Sequence, residues 1–532
     1  MVKKVAIVGA GVSGLTSIKC CLEEGLEPTC FEQSDDIGGL WRFTDYVEDG
    51  RPSMYRSMVS NSSKEMSAFT DFPYPENFPA FLSHHQLLEY LRMYTKHFDL
   101  QKYIQLKTKV ISIKKCPDFS NTGQWGVVIE ANGKQSSTIF DAVMVCVGYL
   151  TEPLLPLKSY PGLEKFNGQY FHSRKYKTPE VFRDKKVLVI GMGNSGVDIA
   201  VEATQTAKKV MISTERGSWV ISRVFDNGYP WDMVFQSRFL NIIRNSLPGC
   251  ITVWMIANRV SQWFNHANYG LIPKDRRVMR EPVLNDLLPS CIITGKISIM
   301  PAVKEFKENA VVFVNVPTAE EVDTVVFATG YKASFPFIDE SILKVENRHA
   351  SLYKYIFLPQ LEKPTLAIIG FIRPFGAIMP VVEIQARWVT RVFNGLCKLP
   401  PPKTMMEEIN EKKNNKVNRF GLSFDEVLKT DCLVYCEELG SLIGIKPSVP
   451  ALLLKDPILA MKIFFGPCSP YQYRLTGPGK WDGARNTILN QWERVLKPTR
   501  TRVVEDSLNC FSCLWKGLAV FVILVGIYLS FN

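Results

Sequence analysis

The sequence predicts an α/β fold made of two Rossmann-like domains, an inserted helical subdomain and a C-terminal membrane tail. The main observation is a signature of strand, Gly-rich turn and helix that occurs twice. Its first copy is an apolar run at residues 5–8, followed by Gly9, Gly11 and Gly14 and then by a helix-like stretch at 15–22. Such a short apolar run bounded by glycines is typical of a buried strand.

The second copy of the signature lies in the middle of the chain. Residues 186–190 form an apolar run, followed by Gly191, Gly193 and Gly196 and by the apolar stretch 197–201. A single Gly-rich turn is weak support for a nucleotide site, but two turns in the same strand-to-helix context indicate two separate units.

Two further apolar strands support this division. Residues 142–148 and 324–330 each end in a glycine and each follows one of the Gly-rich turns. Strands that alternate with helices are typical of parallel sheets with helices on both faces. We therefore predict two parallel sheets, one for each turn.

The first turn has the residues that a dinucleotide site needs. Gly9 permits the tight turn, Gly11 lets the main chain approach a pyrophosphate, and Gly14 lets the helix pack on the strand. The next apolar run, 28–31, ends in Glu32, where this fold places the acid that binds a ribose hydroxyl. We predict dinucleotide binding here.

The second turn predicts a phosphate-bearing nicotinamide cofactor. The strand after it, 210–213, leads into Thr214, Glu215 and Arg216. A guanidinium can bind a 2′-phosphate through two hydrogen bonds, so Arg216 favours NADPH over NADH. The adjacent Glu215 partly offsets the positive charge of Arg216. The alternative is that Arg216 is a solvated loop residue that binds no phosphate.

Two dinucleotide sites predict a pair of redox cofactors, with FAD at the N-terminal site and NADPH at the second. The glycines of loop 37–41 would let the main chain approach the flavin, and a plain turn with a core Trp41 is the alternative. Disulfide exchange is disfavoured, because Cys20 and Cys21 are adjacent in the first helix and the one Cys-x-x-Cys lies at 510–513.

Composition excludes several other classes. The 532 residues carry a formal net charge of +11, which suits a membrane surface or cofactor phosphates. No run of Lys and Arg interleaved with aromatic residues occurs, so nucleic acid is not expected as a partner. The N-terminus leaves no room for a signal peptide, and no metal-ligand spacing is present, so we expect a cytosol-facing body without a metal.

Two apolar regions lie outside the signature. The stretch 226–281 is rich in Trp, Phe and Ile and is interpreted as an inserted subdomain: a helical core element, or a substrate lid or membrane-facing surface. The C-terminal segment 510–532 is apolar and close to the minimum length of a spanning helix, so we expect membrane insertion. Whether it crosses the bilayer or lies in the interface stays open.

A motif before the second turn resembles a known family. Phe166, Gly168, His172 and Tyr176 match FxGxxxHxxxY, the fingerprint of the flavin-containing monooxygenases. The resemblance to the vertebrate microsomal type extends over the chain, through the segments 54–58, 61–66, 328–331, 374–378, 385–388 and 471–481.

The resemblance implies an activity and a set of cofactor contacts. NADPH would reduce FAD, oxygen would add to the flavin as a hydroperoxide, and a soft nitrogen or sulfur atom of a small molecule such as a xenobiotic would take up one oxygen. His172 would link the two domains. Asn61 would be the catalytic residue, beside the hydroperoxide. The residues implied to contact FAD are Gly9, Ala10, Gly11, Val12, Ser13, Glu32, Leu40, Trp41, Asn61 and Ser62. Those implied to contact NADP are Ser60, Asn61, Ser195, Gly196, Val197 and Asp198.

The resemblance also gives a domain division and a location. The catalytic body would face the cytosol from the endoplasmic reticulum membrane, with the tail in the lipid. The predicted units are an FAD-binding domain, first part (1–155), an NADPH-binding domain (156–330, insertion 226–281), an FAD-binding return segment (331–442), a C-terminal region (443–509) and a membrane anchor (510–532).

Two other functions share these cofactors. A Baeyer–Villiger monooxygenase would insert oxygen beside a ketone, but its fingerprint has Trp where Tyr176 stands. An NADPH oxidase would release hydrogen peroxide without a substrate-dependent product. The chain departs from the common family pattern at Glu215 and Arg373, where Arg and Gln are frequent, which bears on cofactor preference and substrate scope.

Overall fold

The computed structural model describes residues 2–48, 50–51, 53–274, 282–346, 350–420 and 429–502. The strands of these residues are β1 (Lys4–Val8), β2 (Glu27–Phe31), β3 (Ile104–Gln105), β4 (Thr108–Lys115), β5 (Trp125–Ala131), β6 (Lys134–Phe140), β7 (Ala142–Val145), β8 (Glu152–Pro153), β9 (Gln169–His172), β10 (Lys186–Ile190), β11 (Lys209–Ser213), β12 (Val220–Ile221), β13 (Val283–Leu284), β14 (Ile297–Met300), β15 (Val303–Phe306), β16 (Ala310–Phe313), β17 (Glu320–Glu321), β18 (Thr324–Phe327), β19 (Tyr331–Lys332), β20 (Leu366–Ile368), β21 (Arg373–Phe375) and β22 (Lys429–Asp431).

The α-helices of the same residues connect these strands and form the C-terminal part of the fold. They are α1 (Val12–Glu23), α2 (Lys64–Ser67), α3 (His84–His97), α4 (Phe119–Thr122), α5 (Asn194–Ala203), α6 (Trp231–Phe235), α7 (Arg238–Ser246), α8 (Gly249–Val260), α9 (Leu288–Ile293), α10 (Ile378–Phe393), α11 (Pro402–Phe420), α12 (Cys432–Ile443), α13 (Val449–Lys455), α14 (Pro457–Phe465) and α15 (Ala484–Leu496).

The first sheet has the strand order β20-β7-β1-β2-β3, and every neighbouring pair is parallel. Val8, at the end of β1, lies beside Phe31 of β2 and Val145 of β7. The side chains of β1 after Lys4 are buried, as expected for a parallel strand covered on both faces. The strands predicted at 5–8, 28–31 and 142–148 are confirmed, although the third ends at Val145.

The second sheet has the order β14-β11-β10-β18-β9 and is also wholly parallel. Ile190 of β10 pairs with Ser213 of β11 and Phe327 of β18, so these strands end at the same edge. The strands predicted at 186–190, 210–213 and 324–330 are confirmed, the last as β18. The chain therefore has the two parallel sheets that its repeated signature predicts.

The chain returns to the first sheet after completing the second. Strand β20 joins the edge of the first sheet beside β7, and helix α10 packs against α1. The antiparallel sheet β4-β5-β6 was absent from the sequence prediction. In β5 the apolar residues Val127, Val128 and Ile129 are consecutive, so its sequence lacks the alternation that indicates a half-buried strand.

The predicted insertion contains helices α6, α7 and α8, and its two ends meet where β12 pairs with β13. Trp231, Asp232 and Met233 of α6 are buried, so α6 is a core element. Helices α7 and α8 instead expose apolar side chains, among them Ile242 and Trp254. The core interpretation is confirmed for α6, while a lid or a membrane-facing surface stays a prediction for α7 and α8.

No helix within the described ranges, which reach residue 502, is long and apolar enough to cross a bilayer. The anchor predicted at 510–532 lies outside the described residues.

Candidate functional site

The first Gly-rich turn has the local geometry that its sequence predicts. Gly9 follows β1 with φ +99° and donates its N–H to Phe31 O at 2.8 Å. A Cβ on Gly14 would lie 1.8 Å from Gly9 O, so the helix reaches the turn only because Gly14 lacks a side chain. Gly14 therefore contributes packing, and Gly9 the change of chain direction.

A cavity of about 620 Å³ begins at this turn. The cavity runs along the carboxyl ends of β1, β2 and β7, where ligands bind in open α/β sheets. Its lining includes seven of the residues predicted to contact FAD: Gly9, Gly11, Val12, Ser13, Glu32, Leu40 and Trp41. Ala10 and Gly14 lie in the same turn but outside this lining.

The loop at 37–41 forms one wall of the cavity, as its glycines predict. Gly38 and Gly39 have φ of +107° and +54°, which favour glycine. A Cβ on Gly39 would lie 3.1 Å from Gly11 Cα, so the two main chains approach closely. The loop is more than a plain turn, since it closes over the first Gly-rich turn.

Glu32 lies at the end of β2, buried at the cavity wall. One carboxylate oxygen accepts the Ala10 N–H at 2.8 Å, and the other accepts the Ser34 N–H at 2.9 Å and the Ser34 hydroxyl at 2.7 Å. A carboxylate has about four lone-pair sites, so Glu32 can still accept a ligand hydroxyl. The residue both orders the turn and presents an acceptor to the cavity.

Arg51 also lines the cavity, and sequence reasoning did not identify it. Its Nη2 donates to Gly39 O at 3.1 Å, it pairs with Glu48, and burial lowers its pKa. A buried guanidinium at the wall can attract a phosphate. Arg51 lies in the irregular segment before residue 60, which carries no periodic signal, so the sequence offered no way to find it.

Residues 60–63, called here the Asn61 loop, lie beside the inserted helices. Arg223 Nη2 donates to Asn61 Oδ1 at 2.9 Å, and Trp231 Nε1 donates to Asn61 O at 2.9 Å. Ser60 Oγ donates to Ser62 O at 3.0 Å and accepts the Leu82 N–H at 2.9 Å. Ser60, Asn61 and Ser62 are outside the lining of the 620 Å³ cavity.

The second Gly-rich turn repeats the geometry of the first. Gly191 has φ +111°, and a Cβ on Gly196 would lie 2.2 Å from Gly191 O. Helix α5 begins at Asn194 after Gly193, where nothing lies within 4 Å of an added Cβ. Gly196 therefore packs helix on strand, while Gly193 and Ser195 lie at the open end of α5.

Thr214 and Arg216 follow β11 at the same edge of the second sheet, because Ser213 pairs with Ile190 just before the turn. Arg216 is exposed, and Thr214 is half-buried, with its hydroxyl accepting the Gly217 N–H at 3.1 Å. The structure thus brings the glycines and Arg216 to one edge, as the sequence predicts for a phosphate site.

Val197 is buried, and Asp198 is half-buried with its carboxylate engaged by other residues. Val197 belongs to the core of the second unit. The Asp198 carboxylate accepts the Tyr55 hydroxyl at 2.5 Å and the Asn285 amide at 2.8 Å, and burial raises its pKa. Its oxygens serve this internal network, so of the predicted NADP contacts on α5 only Ser195 lies at the open end.

The fingerprint residues His172 and Tyr176 both make tertiary contacts. Arg174 N donates to His172 Nδ1 at 3.1 Å, so His172 Nε2 carries the proton and donates to Gly330 O at 2.9 Å. Burial lowers the pKa of His172, which keeps the ring neutral. Tyr176 is buried and donates to Glu202 of α5. The hydrogen bond of His172 thus connects β9 to the segment that follows β18.

Cys20 and Cys21 are not arranged for disulfide exchange with the cavity. Cys20 and Cys21 are free and buried in α1, and burial raises the pKa of the Cys21 thiol well above its ordinary value. A thiolate is the nucleophile in such exchange. These two residues are core residues, as predicted.

Comparison with known proteins assigns the chain to a family. The family model described as flavin-binding monooxygenase-like matches residues 2–532. The chain belongs to this family. Flavin-containing monooxygenase 1 of Canis lupus familiaris is 61% identical over 518 residues, covering 97% of each chain. Dimethylaniline monooxygenase (N-oxide-forming) 2 of Macaca mulatta is 55% identical over 529 residues, covering 99% of each.

Solved structures share the fold of this flavin-binding monooxygenase-like chain. S-allyl-L-cysteine S-oxygenase from Allium sativum superimposes with a TM-score of 0.64 at 24% identity, covering 93% of this chain and 99% of that one. NADP⁺-bound cyclohexanone monooxygenase from Rhodococcus sp. Phi1 gives a TM-score of 0.59 at 16% identity, covering 84% and 98%.

The family makes this chain a flavin-dependent monooxygenase that uses FAD and NADPH. The cavity at the first turn has the chemical groups that FAD needs. Its glycines let a ligand come close to the main chain, the Glu32 carboxylate can accept a ribose hydroxyl, and the buried guanidinium of Arg51 lies near the turn. The edge of the second sheet fits a phosphorylated nicotinamide cofactor, because an arginine and an open helix end meet there.

Proposed function

We propose that the protein oxygenates soft nitrogen or sulfur atoms of small molecules, xenobiotics among them, with NADPH and O₂ as co-substrates. The observation that carries this proposal is the full-length similarity to a relative named for N-oxide formation. The cavity, whose lining fits FAD, is consistent with it.

The proposed Rossmann-like dinucleotide sites divide the cofactors between the two sheets. FAD would occupy the 620 Å³ cavity, with Glu32 accepting a ribose hydroxyl and Arg51 attracting the pyrophosphate. NADPH would bind at the second turn, where Ser195 lies at the start of α5 and Arg216 would pair with the 2′-phosphate. Bound FAD, once reduced, supplies the chemistry that activates O₂ and delivers one oxygen atom.

The proposed role of Asn61 follows from the orientation of its amide. Because Oδ1 accepts from Arg223, the Nδ2 group is left to donate to a bound molecule. An amide does not titrate, so it can hold activated oxygen by a hydrogen bond without protonating it. Arg223 itself pairs with Asp286 at 3.1 Å, which fixes the guanidinium that orients the amide.

We also propose attachment to the endoplasmic reticulum membrane, with the catalytic body in the cytosol. The tail at 510–532 would enter the lipid. A second contact is proposed for α7, α8, α13 and α14, since Trp254 is 64% exposed and Leu454 is 89% exposed. Helix α7 lies against α14, where the rings of Phe239 and Phe465 are 5.0 Å apart.

The test is product analysis with the full-length enzyme and NADPH. Dimethylaniline, a thioether and a ketone are offered in parallel, and N-oxide, S-oxide, ester and hydrogen peroxide are quantified. N-oxide and S-oxide formation supports the proposal. Ester as the main product would replace it with Baeyer–Villiger chemistry, and peroxide alone would identify an oxidase.

A further inference from the structure

The Asn61 loop is held by the inserted subdomain at two main-chain positions. Trp231 Nε1 donates to Asn61 O at 2.9 Å, and Ser63 N donates to Asp232 Oδ2 at 2.7 Å. The donor Trp231 and the acceptor Asp232 are consecutive residues at the start of α6. They therefore fix the loop at Asn61 itself and two residues beyond it.

Both anchoring residues are buried. Trp231 is buried, and its ring lies 5.4 Å from that of Phe375, in a cluster with Trp219, Ile221 and Val260. Asp232 is fully buried in the first turn of α6, where the helix dipole favours a carboxylate. A side chain that is locked by packing holds its hydrogen-bonding partner within a narrow range of positions.

Burying the ionised carboxylate of Asp232 costs free energy of folding. Burial raises its pKa to about 6, which means that the surroundings disfavour the carboxylate. A neutral residue that accepts one hydrogen bond would hold Ser63 without that cost. Buried groups of this kind concentrate at functional sites.

We propose that Trp231 and Asp232 are positioning residues for the oxygenation reaction, which set the main chain of the Asn61 loop and so aim the Asn61 amide. This inference rests on the proposed function of Asn61. The inserted subdomain then serves the active site through α6, in addition to any role of its other helices. A displacement of about 1 Å in a reacting geometry is enough to lower a rate substantially.

The test compares variants of the full-length FAD-loaded enzyme. Trp231→Phe keeps the ring on Phe375 but removes the N–H donor, Asp232→Ala removes the acceptor, and Asp232→Asn keeps it. Trp254→Phe, on the exposed part of α8, is the matched control. Product, NADPH consumed, hydrogen peroxide, FAD content and melting temperature are measured for each variant with dimethylaniline.

We expect Trp231→Phe and Asp232→Ala to raise the peroxide released per NADPH by roughly threefold or more, with FAD content unchanged. Asp232→Asn should rescue coupling, and Trp254→Phe should match the wild type. Adding Trp231→Phe to Asn61→Ser should cause no further leakage, because both act through one amide. A purely structural role would lower the melting temperature and leave coupling intact.

Two results would decide against the inference or its basis. Normal coupling in Trp231→Phe and Asp232→Ala beside a leaking Asn61→Ser overturns the positioning role alone. Normal coupling in Asn61→Ser overturns the role of Asn61, on which the inference rests. If Asp232→Ala does not fold, Trp231→Phe and the double variant decide the question.

Discussion

The hydroxyl of Tyr55 donates a 2.5 Å hydrogen bond to the carboxylate of Asp198, joining the chain before the Asn61 loop to helix α5 of the second unit. A second tyrosine, Tyr176, donates to Glu202 one turn along the same helix, and Ser57 donates to Glu202 as well. Burial raises the pKa of both Asp198 and Glu202, and the tyrosine hydroxyls stabilise the ionised form of these two half-buried carboxylates.

Replacing Tyr55 by Phe should lower stability by about 1–3 kcal/mol, because Asp198 keeps only the Asn285 donor. The Tyr55 hydrogen bond lowers the pKa of Asp198, so its loss matters most where the carboxylate is ionised. We expect a larger fall in melting temperature at pH 8 than at pH 5. An equal fall at both pH values would show that ring packing, and not the hydrogen bond, is responsible.

Asp232→Asn should change how stability depends on pH. The pKa of Asp232 is raised to about 6, so the favourable contribution of this group is full at low pH and is lost as the pH rises through 6. Removing the charge should therefore raise stability at pH 8, by up to about 3 kcal/mol, with little effect near pH 4. Thermal unfolding of both proteins from pH 4 to 8 measures the difference, and parallel curves would contradict the prediction.

Arg216→Gln should raise the KM for NADPH by about 10- to 100-fold, corresponding to the loss of charge-assisted hydrogen bonds. The KM for NADH should not change, because that cofactor has no 2′-phosphate. Arg183→Gln is the control, since Arg183 is an exposed arginine paired with Glu180. If NADPH kinetics are unaltered, the phosphate is bound elsewhere, with Arg223 the next residue to test.

Asn61→Ser should divert oxygen to hydrogen peroxide. Serine is too short to reach Arg223 and offers no amide donor, so product per NADPH should fall by about tenfold while FAD content stays near that of the wild type. Asn490→Ser on α15 is the control for the substitution itself. Retained coupling with a lower melting temperature would make Asn61 a structural residue of its loop.

Truncation after residue 509 should weaken membrane association and leave FAD content unchanged, because both sheets lie before that point. Association that remains should fall further when Trp254 and Leu454 are replaced by Ser, since both side chains are exposed. Flotation with liposomes measures each step. If truncation alone makes the protein fully soluble without detergent, the exposed helices do not contact lipid.

Some structural detail could be predicted because it depends on neighbours in the chain. The roles of Gly9 and Gly14 follow from one turn and one helix, and Glu32 follows from the strand that precedes it. The repeated signature likewise determined the two parallel sheets. The antiparallel sheet β4-β5-β6 was not predicted, because its strands lack a regular alternation of apolar and polar residues.

Other details depend on segments that are distant in the sequence. Arg51 is held at the cavity wall by its hydrogen bond to Gly39 O. The Asp198 carboxylate is bound by Tyr55 and Asn285. Helix α6 is buried although its composition resembles that of α7 and α8. Periodicity describes one element at a time and says nothing about which residues meet across 100 or more positions, as Asn61 and Trp231 do at a separation of 170.

The sequence by itself determined the two Gly-rich turns, the parallel sheets and the cofactor chemistry, because each depends on residue types at short spacing. Only the tertiary structure decided which side chains surround the cofactor sites and which segment supports Asn61. Both features depend on packing and on hydrogen bonds between segments that are distant in the sequence. A buried donor has to be hydrogen-bonded, and its acceptor can come from any segment that the fold places beside it.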